Sequence, residues 1–69
     1  LMNKVTEFSS PFGNMFIAFN ELGIAGSALT QTASLNRFCK EIKDFTGADC
    51  EEVSSLPERL EEALTLWSE

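Results

Sequence analysis

The chain has 69 residues, which limits it to one small domain with a thin hydrophobic core. Its hydrophobic fraction of 43% and charged fraction of 23% exclude a disordered or collagen-like chain. A net charge of −6 makes nucleic acid a poor partner, and the absence of histidine excludes imidazole bases and histidine-ligated zinc.

Three β-strands are predicted before residue 30. The first, residues 4–8, runs into a Ser-Ser-Pro-Phe-Gly turn at residues 9–13. The second, residues 14–20, is apolar on both faces, with Met15, Ile17 and Phe19 on one and Phe16 and Ala18 on the other. Such a strand is typical of the middle of a sheet that is covered on each face. A turn at residues 20–23 and a weaker strand at 24–29 complete an antiparallel meander.

A helical period begins at residue 31. The apolar residues with this spacing are Leu35, Phe38, Ile42 and Phe45. Thr30 or Thr32 is expected to cap the start of this helix. Gly47 is expected to end it in the left-handed conformation.

The last third of the chain predicts a second helix. Residues 48–53 form a short connection or an edge strand, which a crossover through the first helix could place parallel to an earlier strand. Ser55, three residues before Glu58, makes a capping-box pattern with Pro57 in the first turn. The apolar residues of this helix are Leu56, Leu60, Ala63, Leu64 and Trp67.

These elements predict one α+β domain over residues 1–69. It consists of a three-stranded antiparallel meander with two helices packed on it, and residues 48–53 are a candidate for a short fourth strand. Both helices are expected on one face of the sheet. Trp67 is either a core residue of the second helix or part of an interface. The chain ends at Glu69 soon after Trp67, so we expect it to be part of a longer protein.

The two cysteines lack the spacing of a metal or thioredoxin-type motif. Cys39 is expected to be a small buried hydrophobe. Cys50 lies between Asp49 and Glu51, whose charges raise the pKa of a thiol and oppose nucleophilic chemistry. Two cysteines, no run of ~18 apolar residues and no signal peptide favour a reduced, cytoplasmic location.

The charged residues and glycines favour structural roles over catalytic ones. The acidic residues of the last third have no regular ligand spacing for magnesium or calcium, so they are expected to be solvated: Asp49, Glu51, Glu52, Glu58, Glu61 and Glu62. Gly23 and Gly26 lack the rest of a phosphate-binding motif and favour a turn and a close backbone approach. The basic residues of the first helix, Arg37, Lys40 and Lys43, alternate with acids, which disfavours nucleic-acid binding. The phenylalanines at 8, 12, 16 and 19 are expected to pack in the core and a turn.

Residues 8–25, FSSPFGNMFIAFNELGIA, resemble the opening of the methylated-DNA-protein cysteine methyltransferases. In that family a Ser/Thr-Pro-Leu/Phe-Gly turn leads into an apolar strand, a short polar turn, and then Gly-Leu/Ile. The two predicted helices also fall where the family's N-terminal domain has its helices, so the resemblance covers nearly the whole chain. Gly26-Ser27, in place of larger strand residues, departs from the family pattern.

The resemblance implies a ribonuclease-H-like N-terminal domain of a DNA-repair protein. The family's chemistry lies in a C-terminal domain with a helix-turn-helix and a Pro-Cys-His-Arg sequence, neither of which occurs here. Cys39 and Cys50 lack the flanking Pro and His, so neither inherits the role of alkyl acceptor. We therefore expect no catalytic, cofactor-binding or metal-binding residues in this chain.

The expected function is structural support of the C-terminal alkyltransferase domain, the one expected partner. No direct contact with nucleic acid, membrane or a small-molecule substrate is expected. The alternative is an independent acidic protein-interaction module, which is consistent with the concentration of negative charge in residues 48–69.

Overall fold

In the computed structural model, which describes residues 2–68, the strands and helices follow one another in the order β-β-β-α-β-α. The strands are β1 (Asn3–Ser10), β2 (Gly13–Asn20), β3 (Gly23–Leu29) and β4 (Cys50–Glu52), and the helices are α1 (Leu35–Thr46) and α2 (Glu58–Ser68). The predicted α+β class is confirmed. Each predicted strand and helix is present, with ends shifted by a few residues.

The strands form one sheet in the order β3-β2-β1-β4. β1, β2 and β3 are an antiparallel meander, as predicted, and β4 pairs in parallel with the start of β1. The amide of Val53 extends this pairing by donating to the carbonyl of Val5 at 2.9 Å. Residues 48–53 therefore include an edge strand, which was one of the two alternatives for this segment.

Both hairpin turns rely on a polar side chain that precedes the turn and on a glycine that follows it. The hydroxyl of Ser10 accepts from the amide of Phe12 at 3.2 Å and donates to the carbonyl of Gly13 at 2.6 Å. In the second hairpin the amide of Leu22 donates to Oδ1 of Asn20 at 2.8 Å. Gly13 and Gly23 have φ values of 120° and 127°, which favour glycine.

The helices lie on opposite faces of the sheet. α1 packs over Phe16 and Ala18 in a core with Val5, Phe38 and Ile42 (core A). α2 packs over Ile17 and Phe19 in a core centred with them on Leu56 (core B). Since successive side chains of a strand point to opposite faces, these are two separate cores. The prediction that both helices pack on one face is wrong. β2 has apolar side chains on both faces, and each set is buried by a different helix.

Helix α1 begins later than predicted. The hydroxyl of Ser34 caps it by accepting from the amide of Arg37 at 3.2 Å, whereas Thr32 donates its hydroxyl to the carbonyl of Leu29. The predicted caps Thr30 and Thr32 are therefore wrong. The end is as predicted, because Gly47 has φ 79° and its amide donates to the carbonyl of Lys43 at 2.7 Å.

Phe45 does not join the core as the helical period predicts. It is 81% exposed, whereas Phe38 and Ile42 are buried. Phe45 lies in the last turn of α1 and is not among the side chains that pack against core A.

Helix α2 begins at Glu58, three residues after the predicted capping residue Ser55. The carbonyl of Pro57 accepts from the amides of Leu60 and Glu61, both at 3.0 Å. Pro57 rather than Ser55 therefore occupies the N-cap position of α2. Leu60 and Leu64 pack against core B as predicted, whereas Ala63 is exposed. The side chain of Trp67 lies outside the described part of the chain.

A buried asparagine joins the sheet to the segment between α1 and β4. Asn3 is 0% exposed, and its Nδ2 donates to the hydroxyl of Thr46 at 2.7 Å and to the carbonyl of Ala48 at 3.1 Å. Its Oδ1 accepts from Nδ2 of Asn20 at 3.0 Å, and its amide donates to the carbonyl of Asp49 at 2.9 Å. Both amide hydrogens and the oxygen of this side chain are thus bonded. We call Asn3, Asn20, Thr46 and Ala48 the Asn3 network.

We expect Asn3→Ala to destabilise the fold by about 2–3 kcal/mol, because a fully buried side chain loses its three hydrogen bonds. The measurement is urea unfolding followed by circular dichroism. Asn14→Ala is the matched control, since the exposed Asn14 makes one side-chain bond to Glu7 at 2.9 Å. The control is expected to cost less than about 0.5 kcal/mol. Equal losses in the two variants would contradict the role of Asn3.

Gly26 allows α1 to approach β3 closely. A Cβ at this position would lie 2.6 Å from Cδ1 of Ile42, which is buried.

We expect Gly26→Ala to lower the free energy of unfolding by about 1–2 kcal/mol. The steric overlap outweighs the stabilisation that comes from a lower entropy of the unfolded chain. In an Ile42→Val background, which lacks that methyl group, the cost is expected to fall by about half. A double-mutant cycle in urea measures this, and additive effects would show that the contact is unimportant.

Candidate functional site

The structure brings the two cysteines together although they are 11 positions apart. Cys39 lies on α1 and Cys50 opens β4, and both are half-buried against core A. The thiol of Cys50 donates to the carbonyl of Cys39 with an Sγ···O distance of 3.7 Å. The expectation that Cys39 is a small buried hydrophobe is thus met in part, since it packs on the core and remains partly accessible. The pairing of the two cysteines was not foreseen.

The environment of Cys50 opposes thiolate formation. Burial raises the pKa of its thiol from 9.0 to about 11, and the nearby thiol of Cys39 adds to this increase. The charge of Asp49 also raises the pKa, but it is the smallest of the causes. The predicted direction is confirmed, and its main cause is burial rather than the flanking acids. Cys50 is therefore a neutral thiol near pH 7 and a poor nucleophile.

The acidic residues of the last third are on the surface, as predicted. Asp49 pairs with Nζ of Lys43 at 2.9 Å, and this contact raises the pKa of the Lys43 ammonium group. The remaining acids are exposed: Glu51 and Glu52 on β4, and Glu58, Glu61 and Glu62 on α2. Within residues 2–68 no three His, Cys, Asp or Glu side chains are close enough together to hold a metal ion.

Gly23 and Gly26 have the structural roles that were predicted, and two of the three basic residues of α1 are in ion pairs. Gly23 closes the second hairpin, and Gly26 lies against Ile42. On α1, Arg37 contacts Glu41 at 3.6 Å, and Lys43 is held by Asp49. These ion pairs reduce the positive potential that phosphate binding requires.

The phenylalanines follow their predicted roles with one exception. Phe16 and Phe19 are buried and Phe8 packs against core B, whereas Phe12, in the first turn, is 72% exposed. Phe16 also stacks on Phe38 with ring centroids 5.7 Å apart. Phe12 does not pack in the turn because the Ser10 hydrogen bonds, rather than an apolar contact, close the hairpin.

The surface depressions are shallow. The largest that we describe has a volume of ≈ 600 Å³ and lies along α2, where it is lined by Glu58, Glu61, Glu62, Thr65 and Leu66. A second, of ≈ 430 Å³, lies between the β2–β3 turn and α2. The charged side chains that line it are Glu21 and Arg59.

No helix among the described residues is both long enough and apolar enough to cross a membrane.

Comparison of the chain with protein-family models, with curated proteins and with solved structures found no match. The function proposed below therefore rests on the sequence resemblance and on the geometry of the described residues.

We expect the Cys50 thiol to titrate above its ordinary pKa in a Cys39→Ala variant. Burial is the main cause of the shift and remains in this variant, whereas the contribution of Cys39 is removed. The midpoint, followed by thiolate absorbance at 240 nm, should lie between 9.0 and about 11. Because the folded pKa exceeds the unfolded one, the folded state should lose stability as the pH rises through this range. A midpoint at or below the value in urea would contradict this account.

Proposed function

We propose that this chain is the non-catalytic N-terminal domain of a methylated-DNA-protein cysteine methyltransferase. In this role it supports the C-terminal domain that accepts the alkyl group during DNA repair. The observation that carries the proposal is the order of the elements. The chain forms an antiparallel meander, then a helix, then a strand parallel to β1, and then a second helix. This is the order expected for a ribonuclease-H-like domain, which the resemblance of residues 8–25 implies.

The chemistry of the two thiols supports a non-catalytic role. An alkyl acceptor must be present as a thiolate, which in this family a histidine provides through water. This chain contains no histidine. Burial raises the pKa of the Cys50 thiol to about 11. Cys39 packs against core A and has no histidine beside it that could act as the family's base.

The described surface leaves apolar side chains for contact with an adjoining domain. The large ones outside both cores are Met2, Phe12, Leu22, Ile24, Phe45 and Leu66. Phe12 and Leu22 lie in the two hairpin turns, at opposite ends of the strands of the meander. An adjoining domain would bury those that lie at its contact surface.

We expect the chain to stabilise a C-terminal alkyltransferase domain and to accept no methyl group itself. The probe is a family member's C-terminal domain, expressed without its own N-terminal domain. Adding this chain should raise the melting temperature of that domain by several degrees, as expected for a ligand that binds only the folded state. Incubation with DNA that contains O6-methylguanine should leave the mass of this chain unchanged.

Two results would contradict the proposal. One is methylation of Cys39 or Cys50, seen as a gain of about 14 Da, because the acceptor thiol would then lie in this chain. The other is an unchanged melting temperature with C-terminal domains from several family members. An unrelated globular protein of similar size and net charge serves as the control for nonspecific stabilisation.

A second candidate is an independent acidic protein-interaction module. The observation that favours it is the depression along α2, where three glutamates surround the exposed Leu66. Such a surface suits a basic segment that carries an apolar side chain. This function predicts salt-dependent binding of a basic peptide, which is lost in a variant with Glu58→Gln, Glu61→Gln and Glu62→Gln. It also predicts no effect of the chain on the melting temperature of the alkyltransferase domain.

A further inference from the structure

We propose that Cys39 and Cys50 are a site of reversible oxidation, at which a disulfide joins α1 to β4. The inference does not depend on the proposed function. It rests on the way the fold places the chain's two cysteines, which come from different elements, next to each other.

The geometry of the segment between α1 and β4 brings the thiols together. Gly47 ends α1 in the left-handed conformation and turns the chain back towards the sheet. Residues 48 and 49 then bond to Asn3, which starts β4 at Cys50 beside β1. This return places Sγ of Cys50 only 3.7 Å from the carbonyl oxygen of Cys39.

The surroundings of the pair favour a bond between the two thiols over other thiol chemistry. Both cysteines pack against core A, so each side chain has few orientations available. Both are also half-exposed, which allows a small reagent to reach them. Within residues 2–68 the pair has no third Cys, His, Asp or Glu to complete a metal site.

The oxidation requires a low-molecular-weight disulfide such as glutathione disulfide. One cysteine thiolate attacks a sulfur of this reagent, forms a mixed disulfide and releases one glutathione thiol. The second cysteine then loses its proton, attacks the protein sulfur of the mixed disulfide and releases the second glutathione. In sum, the two protein thiols lose two electrons and two protons, and glutathione disulfide gains them as two thiols.

The disulfide would fix the segment on which the edge strand depends. The loop that it closes contains Thr46, Ala48 and Asp49, the partners of Asn3. Oxidation therefore holds β4 and the end of α1 in the arrangement that the Asn3 network defines. Reduction leaves the noncovalent contacts alone to do so.

The test is treatment of the reduced full chain with glutathione disulfide at pH 8 and low protein concentration. We expect a monomer about 2 Da lighter than the reduced chain, with a Cys39–Cys50 cross-link in the peptide map and full reversal by dithiothreitol. The ratio of this product to glutathione adducts should be at least ~10-fold higher for the folded chain than in 8 M urea, because folding raises the effective concentration of one thiol at the other.

Cys39→Ser and Cys50→Ser are the matched controls. Each retains one thiol, so neither should form the lighter product. Cys50→Ser should form a mixed disulfide about 305 Da heavier, and Cys39→Ser should form it more slowly, because the pKa of Cys50 is raised. The proposal is overturned if the folded chain yields mainly doubly glutathionylated protein or covalent dimers. It is also overturned if the folded chain stays unreacted while a cysteine peptide in the same solution is consumed, or if folding does not raise the ratio.

Discussion

The burial of the Asn3 carboxamide is the constraint on which the rest of the architecture depends. A buried amide without partners costs several kcal/mol, so the fold must supply an acceptor for each hydrogen and a donor for the oxygen. It does so from two parts of the chain that are distant from Asn3: the end of β2, and the segment that runs from the end of α1 to β4. The three-residue β4 has little pairing of its own. Asn3 thus defines where the chain returns to the sheet after α1 and, through β4, where α2 begins.

The second constraint is the apolar character of both faces of β2. One face requires α1 and the other requires α2, so the helices pack on opposite sides of the sheet. The surfaces that remain are the hairpin turns, the acidic side of α2 and the region around the two cysteines. The two thiols owe their proximity to the same return of the chain that Asn3 holds in place.

The sequence predicts those features that depend on local periodicity. The alternation in β2 and the helical spacing of Phe38 and Ile42 are local, as is the glycine at position 47, and all three were predicted correctly. Phe45 has the same helical spacing but is exposed in the last turn of α1. The cap at Ser34, rather than at the threonines before it, depends on where the chain leaves β3.

Contacts between residues that are far apart in the chain have no comparable signal in the sequence. Asn3 and Thr46 are 43 positions apart, and nothing in either residue's neighbourhood indicates a bond between them. The contact between Cys39 and Cys50 likewise depends on the parallel pairing of β4, which was only one of two alternatives for residues 48–53. The placement of the helices on opposite faces could have been inferred from the two-sided β2, and the expectation of a single covered face overlooked it.

The central claim is that the Asn3 network holds β4 on the sheet, and amide hydrogen exchange in a Thr46→Val variant tests it most directly. This substitution removes the hydroxyl that accepts from Asn3 and keeps the shape of the side chain. The account predicts that the amide of Val53, which bonds to Val5, loses much of its protection while the amides between β1 and β2 keep theirs. An equal loss of protection across the sheet, or no loss at Val53, would contradict it.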